Sequence, residues 1–549
     1  MNSVYIQKVH QCGPHTVRVT PMVDVTEVTA NPLPPSVRSV LAIKIVYKDK
    51  VTEKSVDRKM ISTGFLPLLL IIFLLAFLRP TSKRHKNLPP GPQPLPILGN
   101  LLQLGNNPHL TLAQLARIYG PLISVWLGAK LLIVASSPSA AADVLKTQDR
   151  ILSARDIPHT YRIKDYISFS MGFASECNER WKALRTICKT ELFTTRMLDV
   201  QTHLREKKVS EVIGFIFSKE GEEVKIGEMA FAAVFNTIGN VIFSRDVLQL
   251  GDDSKNAASG LKDDFSRLLQ LGMVPNLADF YPVLRSMDIQ GLNREATVLN
   301  KRIIDIWDEF IQERRAAGYD DGDAKSDFLD VLLSAGYEDL PIKALISDMF
   351  VAGTDTTTTL TEWTMSELAR NPTVMRRIRD ELQMVVGAEK AVKESHLNHL
   401  NYLHACVKES LRLHPPAPLL LPRQALDTCN IMNYTIRKDC RVMVNVWAIG
   451  RDPGIWKDPL TFLPERFLET SVDYKGNHFE FTPFGAGRRI CPGLPLATRM
   501  VQLILASFIH AFEWSLPHGM QPDDLNMDEK FGLMLERKHP LVLVPKSVV

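Results

Sequence analysis

The stretch 481–493, FTPFGAGRRICPG, restricts the backbone more tightly than any other part of this chain. Its two prolines lack the backbone N–H that a helix interior or a central strand requires. Gly485 and Gly487 permit positive φ angles and the close approach of another backbone. Residues 497–512 follow with the apolar pattern of a helix. The sequence therefore predicts a tight loop that places Cys491 close to the N-terminus of that helix.

The loop predicts a particular chemistry for Cys491. Arg488 and Arg489 surround it with fixed positive charge, which favours a lowered pKa and a thiolate. Such a thiolate is a strong axial metal ligand, and a macrocycle can supply the other ligands. The other cysteines are scattered and form no C-x-x-C pair, which argues against a disulfide framework and a zinc finger. Ile490 stands where a dinucleotide-binding G-x-G-x-x-G loop would need its third glycine. For any single cysteine, a structural buried thiol is the alternative.

Five residues of this loop match every fixed position of F-x-x-G-x-R-x-C-x-G, namely Phe484, Gly487, Arg489, Cys491 and Gly493. The loop therefore resembles the haem-binding loop of the cytochrome P-450 monooxygenases. The resemblance implies that Cys491 ligates the iron of haem b and that Arg489 pairs with a haem propionate. It also implies that NADPH supplies electrons through a separate reductase partner.

A second motif lies in VKESLRLHPP, where Glu409 and Arg412 are three residues apart and share one face of a helix. Taken alone, such a pair is more often a solvated ion pair. It resembles the E-x-x-R motif of the family, and Arg466 in FLPERF resembles the third member of the family's network. The resemblance implies a structural role beside the haem loop.

A third motif, VAGTDTTTTL at 351–360, places a glycine and five threonines where flanking residues keep a helical register. These residue types disfavour helix interiors, and threonine hydroxyls can bond carbonyls four residues earlier. A loop between two helices is the alternative. The stretch resembles the family's oxygen-binding groove, which implies that Asp355 and Thr356 deliver protons with water as general acids.

Two shorter motifs add candidate haem contacts. WKALR contains Trp181 and Arg185 one turn apart, and PLLLPR contains Arg423. Both resemble family segments that reach the haem propionates. Together with Arg489, the two arginines would give three cations for two buried carboxylates. Three further basic residues could face a reductase or simply a solvated surface: Arg180, Lys182 and Lys189.

The apolar run 61–78 has 18 residues without a charge, the signature of a single N-terminal transmembrane helix. Basic residues and prolines fill 79–100, which predicts a stiff hinge. The positive-inside rule would keep the following domain cytoplasmic. Lysines before the run contradict that rule, so we expect the native chain to start at Met60 and 1–59 to be a non-native extension. Peptides recovered from 1–59 of the native protein would contradict this expectation.

Residues 101–549 predict one monooxygenase domain that is mainly α with a minor β part, the cytochrome P-450 fold. Helical spacing marks 196–216, 293–316, 341–370 and 372–386. Strand patterns lie on both sides of 128–130 and near residue 440. Strands and helices do not alternate regularly along the sequence, so a doubly wound sheet is not predicted. The formal net charge of +4 is small for 549 residues and does not suggest nucleic acid as a partner.

Several longer segments, among them SECNERWKALRTICKTELFT at 175–194 and FEFTPFGAGRRICPGLPLAT at 479–498, are similar to those of plant microsomal members, in the alkaloid group that contains N-methylcoclaurine 3'-hydroxylase. This resemblance implies an endoplasmic reticulum membrane protein that oxidises a small lipophilic molecule, best a benzylisoquinoline alkaloid, by hydroxylation or phenol coupling. Hydroxylation of a monoterpenol is the alternative, because enzymes with that activity share much of the same C-terminal sequence. A haem carrier or sensor without turnover would not need Asp355 and Thr356, and a membrane scaffold without catalysis would have no reason for a complete loop around Cys491. The segments expected to line the pocket are 156–175, 271–280, 349–356, 417–421 and 531–533.

Overall fold

The computed structural model describes residues 87–163, 166–251, 257–317 and 327–548, without the side chains of 257–259 and 317. The predicted extension 1–59, the apolar run 61–78 and the basic start of the hinge lie outside these residues. The described end of the hinge lies along the first strand of the body. There the Ser124 amide donates to the Pro90 carbonyl at 2.9 Å.

Helices form the largest part of the described chain, in agreement with the predicted class. In chain order they are α1 Leu101–Leu104, α2 Pro108–Tyr119, α3 Pro138–Ala142, α4 Glu179–Cys188, α5 Thr195–Val200, α6 Thr202–Phe217, α7 Ile226–Phe243, α8 Ala257–Met273, α9 Leu277–Phe280, α10 Leu292–Ala317, α11 Phe328–Ser334, α12 Asp339–Arg370, α13 Pro372–Val385, α14 Glu394–Leu397, α15 Asn401–Leu413, α16 Val446–Ile449 and α17 Leu494–Ala511. The predicted helix 196–216 is two helices, because Gln201 ends α5 outside helical geometry.

Local signals explain several helix ends. Proline occupies the first turn of α2, where a missing N–H costs nothing, and Gly120 with φ 112° follows its last residue. The Asn178 side chain accepts a hydrogen bond from the Trp181 amide and caps α4.

Helix α12 runs unbroken through the threonine-rich stretch. The prediction of one helical register there is confirmed, and the loop alternative is wrong.

The strands form small sheets at the edge of the helical body. They are β1 Leu122–Leu127, β2 Lys130–Ala135, β3 Ala154–Arg155, β4 Val224–Lys225, β5 Arg423–Gln424, β6 Cys429–Ile431, β7 Tyr434–Ile436, β8 Arg441–Val444, β9 Phe512–Ser515, β10 Glu529–Phe531, β11 Leu535–Arg537 and β12 Val542–Ser547. The largest sheet has the order β1-β2-β8-β5-β3, in which only β2 and β8 are parallel. A three-stranded sheet has the order β4-β12-β9, and β6–β7 and β10–β11 are hairpins.

The main hydrophobic core surrounds α12, which packs against α7, α15 and α17. Trp307 and Phe350 are among its largest fully buried side chains. Two described helices, α7 and α17, are long and apolar enough to cross a membrane. They have 72% and 61% of their residues inside the protein, which is typical of core helices.

Candidate active site

A cavity of about 320 Å³ lies between α12, α7 and the loop that contains Cys491. Its walls are mostly apolar, and Val234, Ile238 and Leu360 are representative of them. Cys491 and Phe484 of the loop line the cavity, as do Ala352 and Thr356 of α12. The predicted haem-loop cysteine and oxygen groove therefore line one internal space.

The loop is closed around Cys491 by backbone contacts. The Cys491 amide donates to the Phe484 carbonyl at 3.0 Å. Gly487 has a φ of 68°, and a Cβ atom there would lie 2.0 Å from the Leu145 carbonyl oxygen. No side chain fits between the loop and Leu145, which explains why glycine occupies this position. Gly493 is the residue before α17, so Cys491 lies close to that helix N-terminus as predicted.

The predicted lowering of the Cys491 pKa is wrong for the polypeptide alone. Burial raises the pKa of the thiol above its ordinary value, although hydrogen bonds from the amides of Gly493 and Leu494 and the charge of Arg185 act in the opposite direction. The two loop arginines point elsewhere. Arg488 pairs with Asp149 at 3.3 Å, and Arg489 donates to backbone carbonyls.

Four arginines line the cavity: Arg155, Arg185, Arg423 and Arg489. Most of their described hydrogen bonds go to backbone carbonyl oxygens. Arg185 donates to Ile490 at 2.6 Å, Arg489 to Ala174 at 2.7 Å, and Arg155 to Leu421 at 2.9 Å. Burial and the neighbouring guanidinium of Arg489 lower the pKa of Arg423 to about 10. The cluster is therefore a concentration of buried positive charge.

This donor set fits a haem group. Among the described lining residues the only carboxylate is Asp348, which is bound by Ser170 and backbone amides, so the arginine cluster has no acidic partner within the cavity wall. Buried cations of this kind require anionic partners, and two propionates would supply them. The Cys491 sulfur would serve as the axial ligand, and the apolar walls suit a macrocycle.

Sequence reasoning missed Arg155, which belongs to no motif. Strand β3 pairs with β5 so that Arg155 lies directly opposite Arg423. Its own pKa lies well below the ordinary value because of burial and of Arg489 and Arg423. The only sequence signal was a basic residue inside the apolar segment ILSARDIP, which does not distinguish a ligand-binding arginine from a surface one.

Trp181 supports this cluster from outside the cavity wall. Its indole N–H donates to the Met171 carbonyl at 2.9 Å. The guanidinium of Arg489 lies 4.8 Å from the ring centre, and that of Arg185 lies 5.3 Å away. The structure thus brings Trp181 together with the arginines, and its N–H is directed to the backbone.

Two adjacent threonine hydroxyls of the threonine-rich stretch bond to the preceding turn of α12. Thr356 Oγ1 donates to the Ala352 carbonyl at 2.6 Å, and Thr357 Oγ1 donates to Gly353 at 2.8 Å. Thr356 lines the cavity. Burial and the charge of Glu536 raise the pKa of the neighbouring Asp355 to about 7, with Lys262 acting in the opposite direction. A carboxyl group that titrates near neutral pH can give and regain a proton.

The structure also assembles the predicted ionic network. Glu409 accepts from Arg412 Nη2 at 2.7 Å and from Arg466 Nε at 3.0 Å. Arg412 also donates to the Pro459 carbonyl at 2.7 Å. Glu409 and Arg412 are completely buried, so this is not the solvated pair that the isolated motif allowed.

Four of the five segments expected to line the pocket contribute to it, through Met171, Met349, Ala417, Leu533 and their neighbours. Segment 271–280 does not. Leu271 packs in a separate cluster with Leu292 and Leu299, and Phe280 packs near the β1–β2 sheet. Helix α7 supplies the wall that the sequence did not indicate, because its apolar residues do not reveal whether they face a cavity or the core.

Several known proteins are similar to this chain over most of its length. The sequence profile described as Cytochrome P450 matches residues 89–544. The chain is 51% identical to the probable (S)-N-methylcoclaurine 3'-hydroxylase isozyme 2 of Coptis japonica, over 87% of this chain and 96% of the relative. It is 45% identical to corytuberine synthase of Coptis japonica, over 88% of this chain and 98% of that relative. It is 42% identical to geraniol 8-hydroxylase of Catharanthus roseus, over 85% of this chain and 95% of that relative. The chain belongs to the cytochrome P450 family and is a P450 monooxygenase.

Proposed function

We propose that the protein oxidises a benzylisoquinoline alkaloid, using O2 and electrons that a separate reductase takes from NADPH. One observation supports this choice of substrate class. Four relatives named as (S)-N-methylcoclaurine 3'-hydroxylases, one of them as probable, are 48–51% identical to this chain, whereas two geraniol 8-hydroxylases are each 42% identical. The mostly apolar cavity supports a lipophilic substrate of either kind. We place the catalytic domain on the cytoplasmic face of the endoplasmic reticulum membrane, with 61–78 as its anchor.

The polypeptide's part in the reaction follows from the positions of its side chains. A bound haem would supply oxygen activation at its iron. Cys491 would hold that iron, and the four arginines would fix the propionates and thereby the orientation of the ring. The apolar walls keep bulk water away from the substrate. Thr356 presents a hydroxyl at the cavity surface, and Asp355, with its pKa near 7, replaces the protons that are consumed.

A Thr356→Ala variant tests the proton-delivery role. We expect haem content to stay normal and product formed per NADPH oxidised to fall by about tenfold or more, because the cavity loses its positioned hydroxyl. The measurement is NADPH consumption and product in the same reaction with reductase. Thr361→Ala is the matched control, since Thr361 Oγ1 makes the same bond to a carbonyl four residues earlier, at 2.9 Å, in a buried position. Equal coupling in both variants would remove the role of Thr356.

The substrate proposal is tested by mass analysis of products. The protein in microsomes with a plant reductase and NADPH receives N-methylcoclaurine, reticuline or geraniol. A gain of one oxygen on an alkaloid is the expected result for a hydroxylase. Loss of two hydrogens without oxygen gain would make the enzyme a phenol-coupling oxidase. Turnover of geraniol alone would overturn the alkaloid proposal and support the monoterpenol alternative.

A further inference from the structure

A cluster of charged and aromatic side chains is buried behind the cavity wall. Its members are His109, Glu367, His414, Trp447, Arg451 and Glu529, none of which is among the described residues that line the cavity. The His109 side chain is fully buried, and that of Glu529 is 14% exposed. Burial of so many polar groups costs free energy, so their mutual contacts indicate what the cluster holds in place.

Glu529, the first residue of β10, lies at the centre of this cluster. Its Oε2 lies 3.0 Å from His109 Nε2, and its Oε1 accepts a hydrogen bond from the Trp447 indole at 3.2 Å. Oε1 also lies 3.5 Å from Arg451 Nη2 and 3.6 Å from His414 Nδ1. Although burial opposes it, the pKa of the Glu529 carboxyl lies well below its ordinary value, because the two histidines and Arg451 favour the charged form. Glu529 is therefore a charged anchor for β10.

His414 connects this anchor to α12. Its Nε2 lies 2.7 Å from Glu367 Oε1, and its ring stacks on Trp363 with 4.0 Å between the ring centres. Trp363 donates its indole N–H to the Leu535 carbonyl of β11 at 2.7 Å. The Leu535 amide in turn donates to the Pro416 carbonyl at 2.8 Å. Both strands of the β10–β11 hairpin are therefore fixed to α12 and to the segment that follows α15.

The turn of this hairpin forms part of the cavity wall. Leu533 and Met534 connect β10 to β11 and line the cavity, as does Leu360 of α12. Glu529 precedes Leu533 by four residues. Trp363 follows Leu360 by three residues, which is about one turn of the helix. The cluster therefore joins the hairpin to α12 close to the residues that each contributes to the wall.

We propose that Glu529 is a positioning residue, which sets the place of the hairpin turn relative to α12 and thereby the orientation of the substrate beside Thr356. The carboxylate acts through Leu533 and Met534, since it does not itself line the cavity. Its partners come from α2, from α16 and its flank, and from the end of α15, so the hairpin is held from several distant segments. The inference concerns the monooxygenase reaction itself and does not depend on whether the substrate is an alkaloid.

General stabilisation of the fold is the competing role for Glu529. That role predicts that loss of its charge weakens the binding of every haem ligand alike. The positioning role predicts a selective effect on ligands that reach the cavity walls. Imidazole and 1-(4-phenylbutyl)imidazole distinguish the two roles, because both bind haem iron through a ring nitrogen and only the second carries an apolar group that extends to the walls.

The test is spectral titration of the full-length holoenzyme in detergent with these two azoles. In Glu529→Gln we expect the Kd of the phenylbutyl azole to rise about tenfold and that of imidazole to change by less than about twofold. Asp528→Asn is the matched control, since Asp528 immediately precedes β10 and pairs with Lys538 at 3.2 Å in an exposed position. Both Kd values should stay within about twofold of the wild type in this control.

Two results for Glu529→Gln would overturn the positioning role. One is equal weakening of both azoles, which leaves only general stabilisation. The other is a ratio of the two Kd values equal to that of the wild type.

Trp447→Phe decides the question if Glu529→Gln does not retain haem. This variant keeps an aromatic ring beside His109 and Arg451 and removes the hydrogen bond to Glu529 Oε1. We expect the Kd of the phenylbutyl azole to rise about threefold and that of imidazole to stay unchanged. An unchanged ratio here would overturn the proposal. A changed ratio in an enzyme that converts no alkaloid would leave the positioning role standing while the proposed substrate class fails.

Discussion

A Cys491→Ser variant is expected to lose haem incorporation and, with the haem, its monooxygenase activity. The reason is that the thiolate is the axial ligand that holds the iron, and a neutral hydroxyl binds iron far more weakly. The measurement is the haem Soret absorbance per mole of purified protein, followed by turnover with reductase and NADPH.

Cys440→Ser is the matched control for this variant. Cys440 is also largely buried, with 7% of its surface exposed, but it is not among the residues that line the cavity. It should retain the Soret band. A full Soret band in Cys491→Ser would show that the loop does not hold the haem and would defeat the site assignment as a whole.

Replacing Glu409 by glutamine is expected to destabilise the folded protein by about 3–5 kcal/mol. The substitution keeps the shape of the side chain but leaves the guanidinium groups of Arg412 and Arg466 without their shared carboxylate. Arg412 is completely buried, so water cannot compensate for the lost charge. The measurement is the midpoint of urea-induced loss of the haem absorbance in the full-length protein.

The control for this prediction is Asp305→Asn. Asp305 pairs with Lys301 at 2.7 Å on an exposed face of α10, with side chains 56% and 74% exposed. Loss of such a pair costs about 0–1 kcal/mol, so its midpoint should stay close to that of the wild type. Equal midpoints for Glu409→Gln and the wild type would show that the network does not stabilise the fold.

The long helices were predictable from the sequence because their patterns are strong and extended. The predicted helix 341–370 is Asp339–Arg370, and the predicted helix 372–386 is Pro372–Val385. Residues within one short motif were also predictable as neighbours, since each motif fixes a short backbone segment. Glu409 and Arg412 are an example, because one helix turn brings them together, whereas Arg466 joins them from a segment 57 residues away.

The remaining parts of the site depend on contacts between distant segments. Arg155 reaches the cavity only because β3 pairs with β5, more than 260 residues later in the chain. Asp348 is one acidic residue on a long helix, and only the fold reveals that it faces a cavity rather than solvent. The pKa of Cys491 was predicted wrongly because burial raises it, and the sequence shows neither that burial nor where the side chains of the loop arginines point.

The cluster of four arginines has a consequence for how the protein accumulates in cells. Without an anionic ligand, the polypeptide must hold these guanidinium groups together against mutual repulsion. A group that binds only the folded state shifts the folding equilibrium by mass action, and here it also neutralises the repulsion. The folded fraction of newly made chains should therefore follow the supply of haem. When haem is scarce, more chains would stay unfolded and be degraded, so the abundance of this protein would fall before any reaction rate became limiting.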